Sequence, residues 1–126
     1  MKKFISIIIL MFAVFVPQTL AQASKTPQGE VAMKYLTFIK DGKYAEAVNM
    51  MVMPDSRRAD FVELLRYATE ENRKKNGGIT AVQIDKVEHA EGSKSAKVYY
   101  TMTFKNGKKD SDVINMKNTS GQWKIN

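Results

Sequence analysis

The sequence predicts an α+β fold, with N-terminal helices packed on a curved four-stranded antiparallel sheet. Three observations carry that reading. Apolar residues recur at helical spacing as far as Asn76, and past Gly77-Gly78 the period shortens to two. The last apolar pair, Trp123 and Ile125, keeps the two-residue period to the end of the sequence. A run of helices followed by a run of strands segregates into helices on one face of an antiparallel layer.

The first segment is set apart from that domain. "MKKFISIIILMFAVFVPQTLAQA" opens on Lys2 and Lys3, continues with an apolar run from Phe4 to Val16, and ends near the small residues Ala21 and Ala23. This is the three-part layout of a secretory signal, and its apolar run is short for a membrane span. Cleavage is expected after Ala21 or Ala23. The domain reading is therefore a signal peptide over 1–23 and one domain over 24–126, secreted or periplasmic. There is no cysteine, so neither a lipid anchor nor a disulfide is available, and no stable membrane anchor is expected after processing. The remaining length suits one modest hydrophobic core held by packing alone. Removing Lys2 and Lys3 lowers the +7 of the whole chain to +5, with the charge spread along it. An evenly solvated surface explains that better than a nucleic-acid partner does.

Each helix has local signals. In "SKTPQGEVAMKYLTFIK", Thr26 is an N-cap, Pro27 suits the first turn, and Val31, Ala32, Tyr35, Leu36, Phe38 and Ile39 form an apolar face. Gly42 of "DGK" offers a left-handed stop. A short second helix, "KYAEAVNMM", groups Tyr44, Ala47, Val48 and Met51, and Pro54 ends it. The third runs through "DSRRADFVELLRYATEENRKKNGG", capped by Asp55 or Ser56, with Phe61, Leu64, Leu65 and Ala68 as its buried stripe. Glu70–Lys74 and Glu71–Lys75 are spaced to pair, and the basic run Arg73–Lys75 suits a helix C-terminus.

The strands follow. "ITAVQIDKVEH" changes parity between Ile84 and Val87, which a bulge near Asp85–Lys86 reconciles. "SAKVYYTMTFK" alternates cleanly: Ala96, Val98, Tyr100, Met102 and Phe104 face one way, with Lys97, Tyr99, Thr101 and Thr103 opposite. Asn106-Gly107 is a hairpin turn into "KKDSDVINMKN", where Asp112, Ile114 and Met116 share a face. "SGQ" turns the chain again into Trp123 and Ile125. These two are read as apolar plugs that stop the end from fraying, each worth about 1.5–3 kcal/mol when fully buried.

Taken together, "DGKYAEAV" after an amphipathic helix, a Gly pair closing the third helix, and a meander ending on "GQWKI" resemble the nuclear-transport-factor-2-like (NTF2-like, cystatin-like) superfamily. Within it the chain looks most like the secreted bacterial domain-of-unknown-function 4878 family. Many of those proteins carry a lipid-anchoring cysteine that this sequence lacks. The resemblance implies a cone of curved sheet and helices with a cavity at its wide end. Some superfamily members use that cavity as an active site, as in ketosteroid isomerase or scytalone dehydratase, and others bind ligands or dimerise. Fold alone does not choose among these roles.

The residues give two readings at most positions. Asp112 is either a general base facing the cavity or an exposed carboxylate beside Lys108 and Lys109. Tyr100 is either a hydrogen-bond donor to a ligand oxygen or a core tyrosine. The inward aromatics and methionines, Tyr35, Tyr67, Tyr100, Met102, Met116 and Trp123, are the candidate ligand-lining set, and they equally suit core filling. His89, the sole histidine, reads as an exposed strand-end residue, and no zinc-type ligand set accompanies it. No cofactor motif is present. The expectation is a non-enzymatic domain that binds a small apolar ligand or an envelope protein. The alternatives are an isomerase- or dehydratase-like enzyme using Asp112 and Tyr100, and a homodimer formed through the face that displays Tyr99, Thr101 and Thr103.

Overall fold

The computed structural model describes residues 20–126, so most of the expected signal peptide lies outside the described residues. A short helix α1 (Leu20–Lys25) leads into α2 (Pro27–Lys40), then α3 (Tyr44–Asn49), a 3-10 turn (Asp55–Arg57) and α4 (Arg58–Asn76). Four strands follow: β1 (Ile79–Glu88), β2 (Ser95–Phe104), β3 (Lys109–Thr119) and β4 (Gln122–Ile125). They pair as an antiparallel meander in the order β1-β2-β3-β4.

α1 and α2 form one corner. The Thr26 hydroxyl accepts from the Gly29 N–H at 2.9 Å and donates to the Ala23 carbonyl at 2.8 Å, which closes the N-terminus of α2. A side chain at Gly29 would overlap the Ala23 carbonyl oxygen, so α1 can fold back this tightly only on glycine. Ala23 is fully buried in the core, and α1 packs on β1, so the folded unit reaches back across the expected boundary at residue 24. The other end of α2 is a Schellman cap. Gly42 takes φ +77°, its N–H bonds Ile39 O, and the Lys43 N–H bonds Phe38 O at 2.8 Å.

Between these caps α2 buries Ala32, Tyr35, Leu36 and Ile39 against Ile84, Val87, Ala96, Val98, Ile114, Met116 and Ile125 from the sheet. The sheet's period-two pattern puts all of these on one face. β1 needs help to do so. Its register slips between Ile84, opposite Tyr100, and Lys86, opposite Tyr99. The extra residue, Asp85, is a bulge that lets Ile84 and Val87 both turn inward and adds twist to the sheet. The Asp85 carboxylate is held outside by Gln83 and by the Thr101 hydroxyl, each at 2.6 Å.

The turns differ from one another. At the β2–β3 hairpin only Gly107 has a positive φ, at +88°, which marks a type I turn followed by a left-handed glycine. Between β3 and β4, Ser120 and Gly121 are both left-handed, as a two-residue primed turn requires.

The chain end is tied on both sides. β4 pairs with β3, while Ile125 exchanges backbone hydrogen bonds with the 50–52 segment, Val52 N–H to Ile125 O at 2.7 Å and Ile125 N–H to Met50 O at 2.9 Å. Ile125 is the buried plug. Trp123 is half-buried and sits edge-on to His89, with ring centroids 4.9 Å apart, because β4 is short and its first residues lie at the rim of the core.

The helices α3 and α4 differ most from expectation. α3 stops at Asn49, well before Pro54, because the chain straightens to reach Ile125. Neither Asp55 nor Ser56 caps α4. Asp55 lies in the 3-10 turn and its carboxylate takes Arg58 Nε at 2.9 Å. The same guanidinium bonds the carbonyls of Val48, Met51 and Met53, so Arg58 clamps the connection between α3 and α4. Arg73 and Lys74 pair with Glu70 and Glu71 at i,i+3 spacing in place of the expected i,i+4 pairs. The expected buried stripe is absent: α4 contains no buried residue, and Leu64 is 60% exposed. The helix leans on α3 rather than on the sheet. Its C-terminus is held by Asn76, whose side-chain oxygen accepts from Asn106 at 2.9 Å and whose carbonyl accepts the Asn106 N–H.

Candidate functional site: a cavity under the fourth helix

Because α4 stands off the sheet, a cavity of about 450 Å³ opens between α2, α4 and the strands. Tyr35, Leu36 and Ile39 form its α2 wall; Leu65, Ala68, Thr69 and Asn72 form its α4 wall. The floor comes from Ile79, Tyr100, Met102 and Phe104, and Asp110, Ser111 and Asp112 of β3 close one side. The register explains the last group. Asp112 lies opposite Tyr100 and Asp110 opposite Met102, so both carboxylates follow the inward parity of Ile114 and Met116 beyond the point where the helices cover it.

The wall grades from dry to wet. Tyr35 and Leu36 are buried, Tyr100 and Met102 half-buried, and Asp110 and Asp112 exposed at the mouth. Burial first, then the nearby Asp112, Tyr35 and Asp110, push the Tyr100 hydroxyl up to about 12. Burial also raises the Tyr35 hydroxyl. Both phenols are therefore neutral hydrogen-bonding groups at neutral pH. One Asp112 oxygen accepts the Val113 N–H at 2.7 Å. Asn72 Oδ1 is a buried acceptor without a hydrogen-bond partner. None of the described lysines or arginines lines the cavity.

The candidate residues are thus divided. Tyr35, Tyr100 and Met102 line the cavity together, and Asp112 stands at its mouth. Met116 does not line it, being 1% exposed in the core beneath the helices. Trp123 is at the far end of the sheet against His89, and Tyr67 points to solvent at 67% exposure from the outer side of α4. His89 is exposed but pinned: Nε2 bonds the Ser93 carbonyl at 2.7 Å, which leaves Nδ1 to accept from Gln28 at 3.3 Å. Asp110, Ser111, Thr69 and Asn72 were not singled out from sequence. Their signals are present, since Leu65, Ala68, Thr69 and Asn72 follow i, i+3, i+4, i+7 spacing and Asp110 shares parity with Asp112.

On the opposite sheet face, Tyr99 bonds Glu88 and lies under Lys86 Nζ at 5.6 Å, and Thr101 meets Ser111 at 2.9 Å. No helix among the described residues is long and apolar enough to cross a membrane.

The order of elements, the single meander and the cavity beneath a bridging helix can be compared with known structures. A protein from Campylobacter jejuni, named as an NTF2-like transpeptidase, superposes with a TM-score of 0.60 at 16% identity, over 76% of this chain and 94% of that one. The fold is NTF2-like. At that identity the likeness carries the architecture and not the chemistry. No family model matches the sequence, and neither does any curated protein at a significant level.

Proposed function

We propose that this NTF2-like protein is a secreted or periplasmic, non-enzymatic domain that binds a small, largely apolar molecule in the cavity beneath α4. The carrying observation is the cavity itself, about 450 Å³, whose apolar lining comes from Leu36, Ile39, Leu65, Ile79, Met102 and Phe104 and whose polar groups come from α2, α4, β2 and β3. The leader supports export, and the closing "GQWKI" supports kinship with the secreted 4878 family. Burial of Ala23 favours a mature chain that begins at Gln22 and keeps that residue.

One preparation tests these points. The full-length gene is expressed in a Gram-negative host, the cells are fractionated, and the exported protein is weighed intact. It is then screened by thermal shift against hydrophobic compounds. The expected results are export, a mass starting at Gln22, and a Tm rise that grows with compound concentration. Retention of an uncleaved leader in the cytoplasm would reject the location, and a flat screen would reject ligand binding.

A second reading rests on the Tyr100–Asp112 cross-strand pair, which an isomerase- or dehydratase-like enzyme would use as hydrogen-bond donor and base. The exposure of Asp112 disfavours it, because a base is made effective by burial. Turnover abolished by both Asp112→Asn and Tyr100→Phe would establish it.

A further inference from the structure

We propose that the cavity selects ligands that carry a positive charge or several hydrogen-bond donors at one end of an apolar body. The inference rests on the binding role proposed above and adds a ligand class to it. Three features of the wall point the same way. Among the described residues, the only charged side chains lining the cavity are Asp110 and Asp112, side by side on β3 at the wet end. None of the described lysines or arginines lines it, although the chain as a whole is basic. On the opposite wall the Asn72 side-chain oxygen has no hydrogen-bond partner, a cost that a donor on the ligand would relieve once a small side-chain shift opened this closed-off atom to the cavity.

The remaining polar groups fit the same occupant. The hydroxyls of Tyr35 and Tyr100 can each accept as well as donate, and the Thr69 hydroxyl, which donates to the Leu65 carbonyl at 2.8 Å, is left as an acceptor. An ammonium group seated between Asp110, Asp112 and Tyr100 would gain two carboxylates and an aromatic face. Its hydrocarbon end would reach toward Leu36, Ile39 and Phe104. A carboxylate or phosphate in that position would meet the same two aspartates with no compensating cation.

Three ligands of nearly equal size and shape separate the possibilities: 4-phenylbutylamine, 4-phenylbutanol and 4-phenylbutyrate. Each is titrated into the ¹⁵N-labelled protein at low salt, with backbone chemical shifts reporting both affinity and location. The amine is expected to bind about three- to tenfold more tightly than the alcohol, and the butyrate more weakly than either. The shifts should fall on α2, α4 and β3. In the Asp110→Asn/Asp112→Asn double variant the preference should shrink to within about twofold. Independently of any variant, 0.5 M NaCl should narrow the gap between amine and alcohol, because exposed charges are screened. Equal affinity for amine and alcohol, or tighter binding of the butyrate, would overturn the charge preference and leave the binding role standing. Absence of cavity shifts with all three would overturn the binding role itself.

Discussion

Tyr100 joins the dry and wet ends of the cavity, and its ionisation reports on both. Its hydroxyl is pushed up to about 12, by burial first and by Asp112 next. The group is more easily ionised in the unfolded chain, where a tyrosine titrates near 10. Its contribution to stability is therefore complete below about pH 10 and is lost as pH rises through 10 toward 12. Ultraviolet titration of tyrosinate should show a late-titrating phenol that is missing in Tyr100→Phe. Asp112→Asn should move that phenol to lower pH, because it removes a neighbouring negative charge. An unmoved phenol would mean that the carboxylate is not close enough to act on it. Tyr100 and Asp112 were legible as a pair from parity alone, since both lie on the inward register of their strands. Asn72 was not, because a helical stripe that ends on asparagine looks like the beginning of a solvent face.

At the level of elements, the strands and α2 were legible because each carries its own pattern and its own stop. The parity change in β1 even located the bulge at Asp85. α4 was misread for a physical reason. Periodicity identifies an apolar face but not what stands opposite it, and this face meets a cavity and solvent rather than a packed sheet. Leu64 and Tyr67 are exposed accordingly. What holds α4 to α3 is Arg58, which bonds the Val48, Met51 and Met53 carbonyls and Asp55. Sequence gave no hint of this, since one arginine among four nearby acceptors has no local signature. Arg58→Ala should destabilise the protein by about 1.5–3 kcal/mol, since hydrogen bonds to a charged donor are lost and carbonyls are left unpaired. Arg58→Lys should recover only part of that, because an ammonium cannot match the planar fork. Denaturant melts of the two variants measure both effects, and a neutral Arg58→Ala would contradict the clamp.

Taken whole, the molecule divides its labour unequally. α1, α2, α3 and the sheet share one interior that reaches from Ala23 to Ile125, so both ends of the described chain are bound into it. α4 contributes half-buried side chains such as Val62 and Leu65 to the edge of that interior and buries none of its residues. It is fastened at its ends instead, by Arg58 at one and by Asn76 against Asn106 at the other. Hydrogen exchange should accordingly find the α4 amides opening at lower free energy than those of α2 and β2, as a separate unit. Equal protection across all three would show that α4 is part of the same cooperative block. A beam held chiefly at its two supports can lift with little disturbance to the frame below it. The guests proposed for the compartment it spans would then come and go at the tempo of that lifting, while the rest of the protein stays folded.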